Sequence, residues 1–118
     1  MEIKAQFDND IVILKLTGNL VAAEVEALKN QVKTLMGKKF NKFIMDLGAI
    51  SFMDSSGLGA CMAINREVCG NEGILVCAGL TGSVAKLFKV TRADQKVPVA
   101  PNPSEALTLI INRLINNR

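Results

Sequence analysis

The chain has 118 residues, 49% of them hydrophobic, which is enough for one compact domain with a substantial core, so we expect a single domain over residues 1–118. The net charge of +3 is mild, and the absence of tryptophan, tyrosine and any long basic run argues against a nucleic-acid partner. No apolar run reaches the roughly 18 residues of a membrane span, so we expect none.

The first third of the chain predicts a hairpin followed by a helix. Residues 3–7 and 11–17 flank a polar turn at residues 8–10, a pattern typical of a β-hairpin. Apolar residues then recur at helical spacing, and Gly37 is expected to end that helix. The predicted apolar stripe consists of Val25, Leu28, Val32, Leu35 and Met36.

The middle of the chain predicts two buried strands, each followed by a helix. Residues 43–47 and 74–78 are short apolar runs of the length expected for buried strands. The helix between them is expected to begin near Ser55 and to end at Gly70. After the second strand, Thr81 is a candidate cap for a short helix.

The last helix has the clearest start. Asn102 is a candidate cap, Pro103 suits the first helical position, and Glu105 lies where a capping-box carboxylate belongs. Before it, residues 97–99 fit a strand only at a sheet edge, because Pro98 has no backbone N–H to donate. The predicted apolar stripe of this helix is Leu107, Ile110, Ile111 and Leu114.

A hairpin followed by alternating helices and strands predicts an α/β fold. We expect an open mixed sheet of four to five strands with about four helices, mostly parallel with an antiparallel N-terminal strand.

The three cysteines, Cys61, Cys69 and Cys77, are interpreted as small buried residues. They include no C-x-x-C pair, and the chain has no histidine, so we predict no metal and no disulfide. Reduced thiols fit a cytoplasmic protein, and the first ten residues lack the apolar core of a signal peptide.

The segment FMDSSGLG, residues 52–59, places a carboxylate and two hydroxyls where a helix is expected to start. Unpaired amides at a helix start favour such residues as caps, but a cap needs one of Asp54, Ser55 and Ser56, not all three. A serine nucleophile is disfavoured because the chain has no histidine and no G-x-S-x-G segment here. Asp54 as a phosphoryl acceptor is disfavoured because the end of the second strand offers no carboxylate for magnesium. A serine that accepts phosphate from a separate kinase remains, since a helix start tolerates an anion.

One face of the predicted helix carries small residues where a solvated face normally carries long polar ones. Ser56, Gly59, Ala60 and Ala63 fall on this face. Small residues permit another backbone to approach closely, so this face either docks a partner or packs against a neighbouring helix of the same domain. Periodicity does not decide between the two interpretations.

The segment DLGAISFMDSSGLGACM, residues 46–62, resembles the signature of STAS domains, and in particular that of bacterial anti-sigma factor antagonists. Further similarities follow along nearly the whole chain: VILKLTGNL resembles the family's second strand, GILVCAG the strand after the signature helix, VAKLFKVT the short helix, and PSEAL the start of the terminal helix.

The resemblance implies a protein that is not an enzyme and needs no cofactor of its own. Its unphosphorylated form would bind an anti-sigma factor that is also a serine kinase of the GHKL type, and so would release a sigma factor. The kinase would phosphorylate Ser55, the serine directly after the signature aspartate, and a phosphatase would reverse this. Asp54 would help to position Ser55, and Ser56 and Gly57 would shape the helix start.

The sequence departs from the family pattern at two places. Many members carry an aspartate shortly after the glycine of the second strand, whereas Gly18 is followed here by Asn19 and two apolar residues. Thr91 and Arg92 occupy a place that is often Thr-Gly. These departures keep an alternative open: a STAS scaffold or ligand-binding module in a signalling or transport assembly, without phosphorylation.

Overall fold

A computed structural model describes residues 1–116. It contains one five-stranded sheet of order β1-β2-β3-β4-β5, in which β1 is antiparallel to β2 and the other pairs are parallel. This confirms the predicted mixed sheet. The elements are β1 Glu2–Asp8, β2 Ile11–Leu20, α1 Ala22–Gly37, β3 Lys42–Met53, α2 Ser55–Gly70, β4 Ile74–Ala78, α3 Gly82–Val90, a 3-10 turn Ala93–Gln95, β5 Val99–Ala100 and α4 Pro103–Asn116.

The parallel strands bring four helix starts to one edge of the sheet. Each of β2, β3, β4 and β5 is followed by a helix, so the carboxyl ends of the strands and the amino ends of the helices lie along the same edge. In open α/β sheets this edge is where binding sites form, because the loops there are close together and their backbone amides are unpaired. The FMDSSGLG segment lies on it, between β3 and α2.

The sheet has a hydrophobic core on each face. The larger core lies beneath α1, α2 and α3, and includes Phe43 and Phe88, both with no exposed surface. The smaller core lies beneath α4, where Ile110 packs with Ile44 and Val76. The long buried run of β3 follows from this arrangement, since a central parallel strand is covered on both faces.

Three details of the fold differ from the sequence predictions. Strand β5 spans Val99–Ala100 and so excludes Pro98, although the Pro98 carbonyl accepts a hydrogen bond from the Cys77 N–H at 2.9 Å. Gly37 is still helical, and the left-handed residue that turns the chain is Lys39, with φ 79°. Only part of the predicted apolar stripe of α4 faces the core, because Ile111 and Leu114 remain 48% and 44% exposed.

The cap of α4 is confirmed and gives a stability prediction. The Glu105 N–H donates to Asn102 Oδ1 at 2.8 Å, and Asn102 Nδ2 lies 3.4 Å from Glu105 Oε2. Asn102→Ala removes this acceptor and is expected to lower the free energy of unfolding by about 1 kcal/mol in urea titration. Asn112→Ala, at an exposed position inside the same helix, is the matched control and should not destabilise. Equal losses at the two positions would contradict the capping role.

Candidate functional site

Asp54 is the residue that caps α2. Its backbone is extended, with φ −98° and ψ −176°, and its Oδ1 accepts a hydrogen bond from the Gly57 N–H at 2.9 Å. This settles which of the three polar residues at the helix start serves the fold. The carboxylate lies at the positive end of the helix dipole, where a negative charge is favourable.

Ser55 and Ser56 are the first two residues of α2, and both are exposed. Since Asp54 supplies the cap, neither hydroxyl is needed for that role. A group attached to Ser55 would project into solvent beside the unpaired amides of the first turn, which tolerate an anion. The fold therefore leaves Ser55 accessible to another protein.

Gly57 holds the start of α2 against the end of β2. It is buried, and a Cβ built on it would lie 2.3 Å from the Leu20 carbonyl oxygen and 2.9 Å from Met53 Cγ. No side chain fits at such distances, so glycine is required by the close approach of two backbones. The Asp54 N–H also faces the Leu20 carbonyl, at 3.4 Å.

The last part of β3 projects beyond β4 and carries an exposed aromatic ring. Pairing of β3 with β4 stops at Asp46, whereas pairing with β2 continues to Met53. Along this projecting part the register shifts, so that Gly18 pairs with Ile50 and Asn19 pairs with Phe52. Phe52 is 50% exposed, two residues before Asp54.

Sequence reasoning missed Phe52. Strict alternation would place it on the same face as buried Ile50, but the register shift leaves Ser51 as an extra residue and turns the ring towards solvent. The neighbouring Asn19 is exposed as well, so an uncharged amide lies beside Phe52 at this end of the sheet.

The predicted small-residue face of α2 is exposed only in part. Gly59 is exposed, with nothing within 4 Å of a Cβ built on it, and Ala63 is half-buried. Ala60 is 2% exposed, so its prediction as a partner-binding residue is wrong. The reason is that α2 packs both on the sheet and beside α1, which widens its buried arc. The surface left for a partner comprises Phe52, Ser55, Ser56, Gly59 and the half-buried Ala63; we call it the α2 surface.

The cysteines do not form a cluster on that surface. Cys61 and Cys77 are buried as predicted, but Cys69 is exposed, because it lies about 100° around the helix from buried Val68. Hydrogen bonding with Cys61, together with burial, raises the pKa of the Cys77 thiol. Within residues 1–116 no group of three His, Cys, Asp or Glu side chains is placed to hold a metal ion.

The sequence model of the STAS domain matches residues 2–106, which is most of the chain. The chain belongs to the STAS domain family. No helix among the described residues is long and apolar enough to cross a membrane. A curated relative, the anti-sigma-B factor antagonist of Listeria monocytogenes, is 28% identical over 91 residues, which cover 77% of this STAS chain and 79% of the relative.

Solved STAS structures share the fold. An anti-sigma factor antagonist from Mycobacterium paratuberculosis has a TM-score of 0.84 at 17% identity, with 92% of each chain covered. The Bacillus cell fate determinant SpoIIAA in its phosphorylated form has a TM-score of 0.72 at 22% identity, covering 92% of this chain and 99% of that one. Its unphosphorylated form, named an anti-sigma factor antagonist, also gives 0.72, at 21% identity, covering 96% and 97% of the two chains. At these identities the likeness concerns the fold alone.

Proposed function

We propose that this STAS domain is an anti-sigma factor antagonist controlled by phosphorylation of Ser55. In its unphosphorylated form it binds, in the cytoplasm, an anti-sigma factor that is also a GHKL-type serine kinase, and a sigma factor is released. A phosphatase returns the phosphorylated form to the binding state. The chain itself catalyses no reaction and needs no cofactor, because ATP and magnesium are supplied by the kinase.

The observation that carries this proposal is the division of roles at the start of α2. Asp54 caps the helix by accepting from the Gly57 N–H, so the neighbouring Ser55 is left exposed and is not required for the cap. A serine that the fold does not use, placed directly after a carboxylate that the fold does use, suits modification by another enzyme. The curated Listeria relative named as an antagonist supports the same function. SpoIIAA, which shares the fold, has been solved in both its unphosphorylated and its phosphorylated form.

Phosphorylation at this position changes binding without unfolding the domain. A phosphoserine adds about −1.5 to −2 charges, and the helix dipole and unpaired first-turn amides stabilise that charge in the free protein. On the α2 surface the charge would lie between exposed Phe52 and exposed Gly59. A partner that covers this surface must strip water from the phosphate, which costs several kcal/mol unless it supplies a compensating cation.

The modified residue is testable by mass spectrometry. The kinase is first captured from native extract on the immobilised protein, with and without ATP, and is then incubated with the purified chain and MgATP. We expect phosphate on Ser55, and we expect Ser55→Ala to remain unlabelled while Ser56→Ala, the adjacent exposed serine, is labelled like the wild type. Phosphate on Ser56 alone, or continued labelling of Ser55→Ala, would contradict the proposal. A partner that is captured but never phosphorylates the chain would favour the scaffold alternative.

A further inference from the structure

Strand β1 leaves a long sheet edge open. Within residues 1–116, β1 pairs with β2 alone, and its seven residues make it far longer than the opposite edge strand, β5, which has two. Asp8 and Ile11 close a two-residue turn, so alternate residues of β1 direct their backbone groups towards β2. The N–H and C=O groups of Ile3, Ala5 and Phe7 therefore face the open edge. Such an edge is a template for pairing with another strand.

A groove lies beside this edge, between β1 and α1. Its volume is about 400 Å³, and its lining includes Ala5, Phe7, Ala27 and Thr34. Phe7 is 55% exposed and makes a tilted contact with Phe40, with ring centroids 5.3 Å apart. The groove thus offers small residues next to a large ring that the domain itself does not cover.

The other face of β1 is polar and carries charges of both signs. Every second residue of the strand lies on this face, and all four are exposed: Glu2, Lys4, Gln6 and Asp8. Lys4 lies directly opposite Lys15 of β2, an unfavourable arrangement of like charges. A carboxylate of a partner molecule placed next to Lys4 would offset the repulsion between Lys4 and Lys15.

We propose that two copies of the chain associate through antiparallel pairing of their β1 strands, centred on Gln6. In this register Lys4 lies opposite Asp8 of the second copy, and the pair occurs twice by symmetry. Ala5 lies opposite Phe7 of the second copy, so each ring enters the groove above the other copy's alanine. The alternative register, centred on Ala5, would set Glu2 against Asp8 and is disfavoured by like charges. The two sheets would join into one.

A strand-edge contact of this size is at the weak end of specific interfaces, so we expect a dissociation constant of about 10–1,000 µM. Sedimentation velocity of the wild-type chain across that range should show a reversible monomer–dimer equilibrium, weakened by added salt. Lys4→Asp and Asp8→Lys should each weaken the dimer by about tenfold, since each sets two like-charge pairs across the axis. The double variant should restore near wild-type association. Lys86→Asp, at an exposed position on α3, makes the same charge change away from β1 and should have no effect.

Ala5→Pro tests the backbone pairing separately. Proline is tolerated on an edge strand when its nitrogen faces solvent, so this variant should keep the β1–β2 ladder and lose the dimer. A wild-type chain that stays monomeric throughout would overturn the proposal, as would a double charge variant weaker than either single one. Loss of the dimer in Leu114→Ser with its retention in Ala5→Pro would place the interface on the exposed apolar face of α4 instead, and would also overturn it.

Discussion

Ser55→Asp is expected to keep the fold and to weaken binding of the anti-sigma factor by about tenfold to a thousandfold. The added carboxylate lies at the start of α2, where a negative charge favours the folded state by roughly 0.3–1 kcal/mol, so the melting temperature should hold or rise slightly. On the α2 surface, however, that charge loses water when a partner docks. An uncompensated buried charge costs several kcal/mol, and each 1.4 kcal/mol is tenfold in affinity. Calorimetric titration and thermal melts measure the two effects.

Two further variants separate charge from shape. Ser55→Asn has nearly the same size as Ser55→Asp without its charge, so we expect binding much closer to that of the wild type. Ser55→Ala should bind at near wild-type strength and should stay bound in ATP, because it cannot be phosphorylated. Equal affinity of Ser55→Asp and the wild type would rule out the switch and favour the scaffold alternative. A large fall in melting temperature would show instead that Ser55 is structural.

The elements of this fold could be predicted wherever the signal is local. The polar turn at residues 8–10 and the pairing of Asn102 with Glu105 are determined by residues a few positions apart, and both are confirmed. The start of α2 was predicted for the same reason, since polar residues at a strand–helix junction satisfy the first amides of the helix. The exposure of Ser55 is determined locally as well, because Ser55 is the first residue of α2.

The parts of the site that could not be predicted depend on contacts between distant segments. Phe52 turns outward because of a register shift against β2, which the alternation of β3 does not reveal. Ala60 is buried because α2 packs beside α1 as well as on the sheet. Helical periodicity gives the angular position of a side chain around the helix axis, but it does not say how many faces of the helix are covered by other elements. The identity of the capping residue likewise required the Asp54–Gly57 hydrogen bond.

Gly57→Ala is expected to lower the free energy of unfolding by about 2–4 kcal/mol, although alanine is the better helix former. Its Cβ would lie 2.3 Å from the Leu20 carbonyl oxygen, which is backbone and cannot rotate away. Overpacking of this kind costs about 1–3 kcal/mol, and displacement of the first turn would also weaken the bond from the Gly57 N–H to Asp54, worth about 1 kcal/mol. For a domain of this size we expect the melting temperature to fall by about 8–16 °C. Denaturant titration and thermal melts provide the measurement.

Gly59→Ala makes the same chemical change two residues later, with opposite consequences. A Cβ at this position meets nothing within 4 Å, so the variant should gain about 0.5–1 kcal/mol of stability from the lower entropy of its unfolded chain. The domain therefore has no packing reason to keep glycine here, whereas a partner backbone lying close against α2 would supply one. If the anti-sigma factor docks on the α2 surface, the added methyl group should reduce its affinity by about fivefold to 150-fold, from an overpacking cost of about 1–3 kcal/mol. A Gly59→Ala chain that is both more stable and equally tight in calorimetric titration would place the partner elsewhere, even if Ser55 remains the phosphorylated residue.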